Sequence, residues 1–116
     1  MRESVVQRRL KTALERLGCL VVKTHGNVYQ SGVPDLIVVG RLRVLLIEVK
    51  GSDTPLKGAQ VGFVKRAQLL RCPAVAVFRG YETGWTYAPC SNQSTVLAGS
   101  WDELDEALRA IVAGEG

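Results

Sequence analysis

With 116 residues, 47 % of them hydrophobic, and a net charge of +4, the chain is expected to fold as one domain around one core without disulfides or structural metal, and its modest basicity permits a polyanionic partner. Three cysteines, Cys19, Cys72 and Cys90, with no Cys-x-x-Cys spacing, argue against a disulfide framework or zinc site and fit a reducing cytoplasm. Met1-Arg2-Glu3-Ser4 runs into a charged helix rather than a secretory signal, and no apolar run reaches the ~18 residues that span a bilayer.

Residues 3–17 read as an amphipathic helix, with Val6, Leu10, Ala13, Leu14 and Leu17 on its apolar stripe and Gly18 as its stop. Cys19 to Thr24 is a first strand. His25 to Val33 is a polar, glycine-containing loop. Two aliphatic runs follow, at about 34–39 and 44–50, and both read as buried strands. Gly40-Arg41-Leu42-Arg43 between them leaves room only for a tight reversal, so the two strands form a hairpin. Gly51 to Pro55 is loop, with Asp53 or Thr54 available as a helix cap and Pro55 near the first helical position. A second helix spans about 57–71, packs through Phe63, Val64, Ala67 and Leu70, and is ended by Pro73. Ala74 to Phe78 is a fourth strand, 80–84 a turn, and Trp85 to Ala88 a short edge strand. Residues 89–99 read as loop. Ser100-Trp101-Asp102-Glu103 is a capping-box pattern opening a last helix over about 101–113. The order α-β-β-β-α-β plus a helical tail predicts an α/β sandwich with a mixed sheet, its core over about 1–88.

The hairpin carries the chemistry. With Arg41-Leu42 as a two-residue turn, cross-strand partners have numbers summing to 83, and Asp35 faces Glu48. Side chains alternate along a strand, so Glu48 and Lys50 share a face while Val49 points the other way. Three charged groups thus converge at one end of an apolar hairpin, where burial is costly unless charges are paired or hold a metal. Two acids and a lysine suit metal-assisted phosphodiester hydrolysis. Asp35, Glu48 and the Val49 carbonyl are oxygen donors for a hard divalent cation. Lys50 is placed to orient the attacking water or to hold charge developing on the phosphate.

Further polar residues sit on apolar stripes. Glu3 and Gln7 share a helical line with Leu10 and Leu14, and Gln60 shares one with Phe63, Val64 and Ala67. Glu3 is a candidate for a second metal or its water, Gln60 for a water or phosphate. The alternative for Glu3 is an acid favoured by the helix dipole. His25 reads as a loop hydrogen bond or substrate contact, and Tyr29, Gln30 and Ser31 as groove lining. Trp85 and Tyr87 read as edge-strand packing, Arg8, Arg9 and Lys11 as a solvated face with contact to phosphate as its alternative, and the cysteines as core filler.

Gly32-Val33-Pro34-Asp35, then Glu48-Val49-Lys50, then Gln60 in the next helix resembles the PD-(D/E)xK nuclease superfamily. Within it, the small size, Glu3 in the first helix and the Gly-Val-Pro-Asp-Leu-Ile string resemble the VRR-NUC family, in particular its stand-alone virus- or prophage-type members. The resemblance covers about residues 1–80. It implies a restriction-endonuclease-like αβββαβ core. It also implies Mg²⁺ or Mn²⁺ held by Asp35, Glu48 and the Val49 carbonyl, with Lys50 catalytic and Glu3 and Gln60 in support. Short family members resemble Holliday-junction resolvases and act as homodimers on four-way DNA junctions. The expectation is therefore a cytoplasmic, metal-dependent DNA endonuclease for branched DNA, acting as a homodimer away from membranes. Its rivals are a nuclease for flap or linear DNA and a non-cleaving nucleic-acid-binding module. Residues after Tyr87 match no pattern of the family, and the tail helix is either a dimer element or a cap on the core.

Overall fold

The computed structural model describes residues 1–24, 32–91 and 95–114. Its first helix, α1 (Glu3–Arg16), buries Val6, Leu10, Ala13 and Leu14, the stripe set by their spacing of three and four. It ends where expected. Gly18 takes a φ of +88°, its N–H donates to the Glu15 carbonyl, and the Cys19 N–H donates to the Leu14 carbonyl. These are the two bonds of a Schellman stop, which favours glycine at the left-handed position.

Six strands follow in one sheet, ordered as in sequence: β1 (Leu20–Lys23), β2 (Leu36–Val39), β3 (Val44–Lys50), β4 (Val75–Gly80), β5 (Trp85–Pro89) and β6 (Leu97–Gly99). Only β3 and β4 are parallel, and the helix α2 (Ala59–Leu69) makes the crossover between them. All other neighbours are antiparallel, so the mixed sheet stands as predicted. The stretch 89–99 is not all loop, because Leu97–Gly99 adds a sixth, edge strand. Trp85 and Tyr87 therefore lie on an inner strand. Trp85 stacks on Phe78 at 5.9 Å and its indole N–H donates to the Ser100 carbonyl.

The two faces of the sheet are covered unequally. One face packs on α1 and on the last helix, α3 (Leu104–Val112), whose Leu104, Leu108 and Ile111 join the main core. The tail helix is thus a cap on the core. A one-turn 3₁₀ segment, Trp101–Glu103, precedes it, and the Glu103 carboxylate accepts from the Ser100 N–H and hydroxyl as the capping-box pattern anticipates. Among the described residues the opposite face carries α2 alone, whose Val64 and Ala67 pack on Val75, Leu46 and Val77. There α2 leaves β1, β2 and the start of β3 uncovered, with Leu20 62 % exposed and Val22, Val39 and Val44 also open. The run at 34–39 is therefore buried on one face only, a correction to the buried strand expected from its composition, whereas in the run at 44–50 Ile47 to Lys50 are buried on both faces as expected.

Helix α2 also starts and ends differently from its sequence pattern. Neither Asp53 nor Thr54 caps it. Its N-cap is Gly58, and the Thr54 hydroxyl accepts from the Gly51 N–H instead. Leu70, expected on the packed face, is 78 % exposed because the helix has already stopped. Arg71 occupies the left-handed position at φ +50°, with Cys72 N–H donating to the Ala67 carbonyl.

Candidate active site

The hairpin closes as its length demands. The Gly40 N–H donates to the Arg43 carbonyl at 2.9 Å across Arg41-Leu42. The ladder runs from Val39 opposite Val44 to Leu36 opposite Ile47. One residue further, the same register sets Asp35 against Glu48. Each side chain accepts from a backbone amide of the other strand. Asp35 N–H donates to Glu48 Oε2 at 3.2 Å, and Val49 N–H donates to Asp35 Oδ2 at 2.8 Å. Each carboxylate is thereby pinned by one oxygen. The Pro34-Asp35 step is held from β1 as well: the Thr24 hydroxyl donates to the Pro34 carbonyl at 2.6 Å and Thr24 N–H donates to the Asp35 carbonyl. Gly32, at φ +90°, lets this segment pass against α2, since a Cβ there would lie 2.7 Å from the Ala59 carbonyl oxygen.

Lys50, two residues beyond Glu48 on the same face, is buried. Its Nζ donates to Gln60 Oε1 at 3.0 Å and lies 3.7 Å from Glu3 Oε1 and 3.9 Å from Glu48 Oε1. A buried ammonium needs such compensation. Gln60 is itself oriented by the Lys57 N–H, which donates to the same oxygen. Glu3, Asp35, Glu48, Lys50 and Gln60, drawn from both helices and the hairpin, therefore meet in one cluster. Val49 contributes backbone only, its side chain lying in the main core.

Glu48 Oε1 is buried and accepts no hydrogen bond from any described residue. Burial is the main force on this carboxyl, and the Asp35 carboxylate adds to it. Together they push the Glu48 pKa up to about 8 against the opposing pull of Lys50. A buried oxygen that accepts no hydrogen bond and faces a second carboxylate, with only the Lys50 ammonium 3.9 Å away, fits a divalent cation. Glu3, expected among the ligands, has its carboxylate on the Lys50 ammonium instead. Among the described residues no group of three or more His, Cys, Asp and Glu side chains is disposed to hold a metal.

Arg79 was not singled out by its sequence, and it organises the cluster's support. It pairs in register with Lys50 across the parallel strands. Its Nη1 donates to the carbonyls of Gly51 and Thr54, at 2.8 and 2.6 Å. The clamped loop joins Lys50 to the helix bearing Gln60. The same loop holds α1: Ser52 N–H donates to the Met1 carbonyl, and a Cβ on Gly51 would lie 2.5 Å from that carbonyl oxygen. The one available signal was a charged residue ending an apolar strand, as Lys50 ends β3.

The remaining candidates separate. Gln7 is half-buried on α1. His25, Tyr29, Gln30 and Ser31 lie outside the described residues. Arg9 stacks over Trp101 at 4.8 Å and Lys11 pairs with Glu15. Cys19 and Cys90 are buried free thiols, and Cys72 is a half-buried one. No helix among the described residues is long and apolar enough to cross a membrane. No protein-family model matches the chain, and no curated protein matches it.

Proposed function

We propose that this chain is a divalent-metal-dependent DNA endonuclease with a restriction-endonuclease-like core, working on branched DNA such as a four-way junction. The observation that carries the reading is the carboxylate pair. Asp35 and Glu48 face each other, each has one oxygen fixed by a backbone amide, and Glu48 keeps its other oxygen buried without a hydrogen bond. Mg²⁺ or Mn²⁺ is held by these two side chains and the Val49 carbonyl, and when bound it supplies Lewis acidity toward the phosphate and acidifies water.

The chain's own groups do the rest. Lys50, fixed by Gln60 Oε1 and balanced by Glu3, orients the attacking water and counters charge that grows on the phosphate. Gln60 and Glu3 act through Lys50 by setting where its ammonium sits. Burial keeps this charge in a low-dielectric setting, where it acts more strongly than on the surface. A symmetric cut of a two-fold junction needs two sites, so the working form in this reading is a homodimer. A reducing cytoplasm, in which the three thiols stay free, belongs to the same reading.

The test is a panel of end-labelled four-way junction, flap, single-stranded and duplex DNA, each incubated with Mg²⁺, Mn²⁺ or EDTA. Paired nicks in the junction, lost in EDTA, are the expected result. Cleavage of flap or linear DNA alone would remove the junction assignment and keep the nuclease. Binding without turnover on every substrate would make the chain a binding module. Light scattering of the free protein checks the dimer.

A further inference from the structure

We infer that the outer face of α2 is a nucleic-acid docking surface along which the phosphate backbone runs as it leaves the site. This rests on the nuclease reading for the identity of the polyanion. The charge pattern supports it independently. From Thr54 to Tyr81 the sequence holds Lys57, Lys65, Arg66, Arg71 and Arg79 and no acid. After Tyr81 the balance reverses, with Asp102, Glu103, Asp105 and Glu106 at the start of the last helix.

The fold puts these two halves on opposite faces of the sheet. Helix α3 lies with α1, and its acids answer α1's bases: Asp105 takes Arg16 through two hydrogen bonds. Helix α2 lies alone on the face that bears Glu48 and Lys50. Lys57, Lys65, Arg66 and Arg71 are exposed and make no ion pair with any described residue. Four exposed cations that form no ion pair with any described residue add a positive potential to this face, which a phosphate backbone fills.

The helix is also aimed correctly. Its first turn touches the site through Gln60, and it runs away from there. Lys65 and Arg66 stand ~8–9 Å further along the axis at 1.5 Å per residue. That distance matches roughly two to three phosphates of one DNA strand. Lys57 stands at the near end, beside Gln60. The strand cut at Asp35 and Glu48 thus meets Lys57 first and Lys65 and Arg66 next.

The experiment is a salt titration of binding in EDTA, where nothing is cut. Fluorescent four-way junction and linear duplex are titrated with the wild type, with Lys65→Ala/Arg66→Ala, and with Arg8→Ala/Arg9→Ala as the control on α1. Lys65 and Arg66 are exposed and form no ion pair with a described residue, so the melting curve of the α2 pair should overlay the wild type's. The α1 pair gives up the Arg9 stack over Trp101 and is compared only after its folding is checked. Each lost phosphate contact flattens the slope of log K against log salt by about 0.9. The α2 pair is expected to flatten it by about 1.8 and to weaken both probes alike, while the α1 pair leaves slope and affinity in place. An unchanged slope for the α2 pair overturns the surface, as does equal flattening by the α1 pair or no wild-type binding to either probe. Addition of Mg²⁺ separates this from the nuclease reading. Binding through α2 without cleavage retires the nuclease and keeps the surface. Cleavage with an unaltered α2 slope does the reverse.

Discussion

A carboxyl that is 2 % exposed, faces a second carboxylate and keeps one oxygen without a hydrogen bond favours its protonated form. For Glu48 the native state therefore binds the proton more tightly than the unfolded chain, which titrates near 4.5. The resulting stability is fully present below that pH and is lost as the pH climbs through about 8. Melting of the metal-free protein in EDTA should thus fall in temperature from pH 5 to pH 8, and Glu48→Gln should flatten that fall. Added Mn²⁺ competes with the proton, so it should raise the wild-type melting temperature more at pH 8 than at pH 6. A calorimetric series at fixed salt reads all three. Asp35, Glu48 and Lys50 were legible in sequence because a two-residue turn fixes register by arithmetic. Arg79 was not, because its value lies in two carbonyls that only the folded loop presents to it.

Elements show where local signals compete with the tertiary structure. Thr54 carries a good cap side chain, yet its hydroxyl serves Gly51 and α2 begins at Ala59. At the far end of α2, Arg71 holds a left-handed φ of +50°. That conformation costs a non-glycine residue ~1–2 kcal/mol, while glycine's extra freedom in the unfolded chain costs ~0.4–1 kcal/mol. Arg71→Gly is expected to stabilise the protein by the difference, about 0.5–1 kcal/mol in urea titration. Gly51 has the opposite sensitivity. A methyl there meets the Met1 carbonyl oxygen at 2.5 Å and the Glu3 nitrogen at 2.9 Å. Gly51→Ala should push α1 off the loop, cost about 1–3 kcal/mol, and lower any Lys50-dependent activity along with stability. A melting curve indistinguishable from wild type would remove this packing argument. The helix stripes themselves were legible, since periodicity names a buried face. It does not fix where the helix stops, which is why Leu70, one residue past the end of α2, was misassigned.

At the scale of the molecule, one mixed sheet divides two jobs. The face under α1 and α3 holds the main core, and the face under α2 holds the carboxylates, Lys50 and the unpaired cations. The α-β-β-β-α-β order was visible in the sequence, and Glu3 and Gln60 stood out there as polar residues at the ends of apolar stripes, whereas their meeting at Lys50 comes from the fold. The sixth strand was not, because Leu97-Ala98-Gly99 has no alternation of its own and exists through pairing with β5. Nor was the uncovered face of β1 and β2, whose aliphatic residues read as buried whichever side they occupy. The proposed function requires metal-dependent phosphodiester cleavage at one cluster. The most direct test is cleavage of an end-labelled four-way junction in Mg²⁺ by wild type, Asp35→Asn and Lys50→Ala at equal concentration, with folding of each checked by circular dichroism. Loss of one such electrostatic group costs on the order of 10²–10³ in rate. Cleavage by the wild type that drops by at least that factor in both variants is the predicted result. Equal cleavage by all three would place the chemistry elsewhere and contradict it.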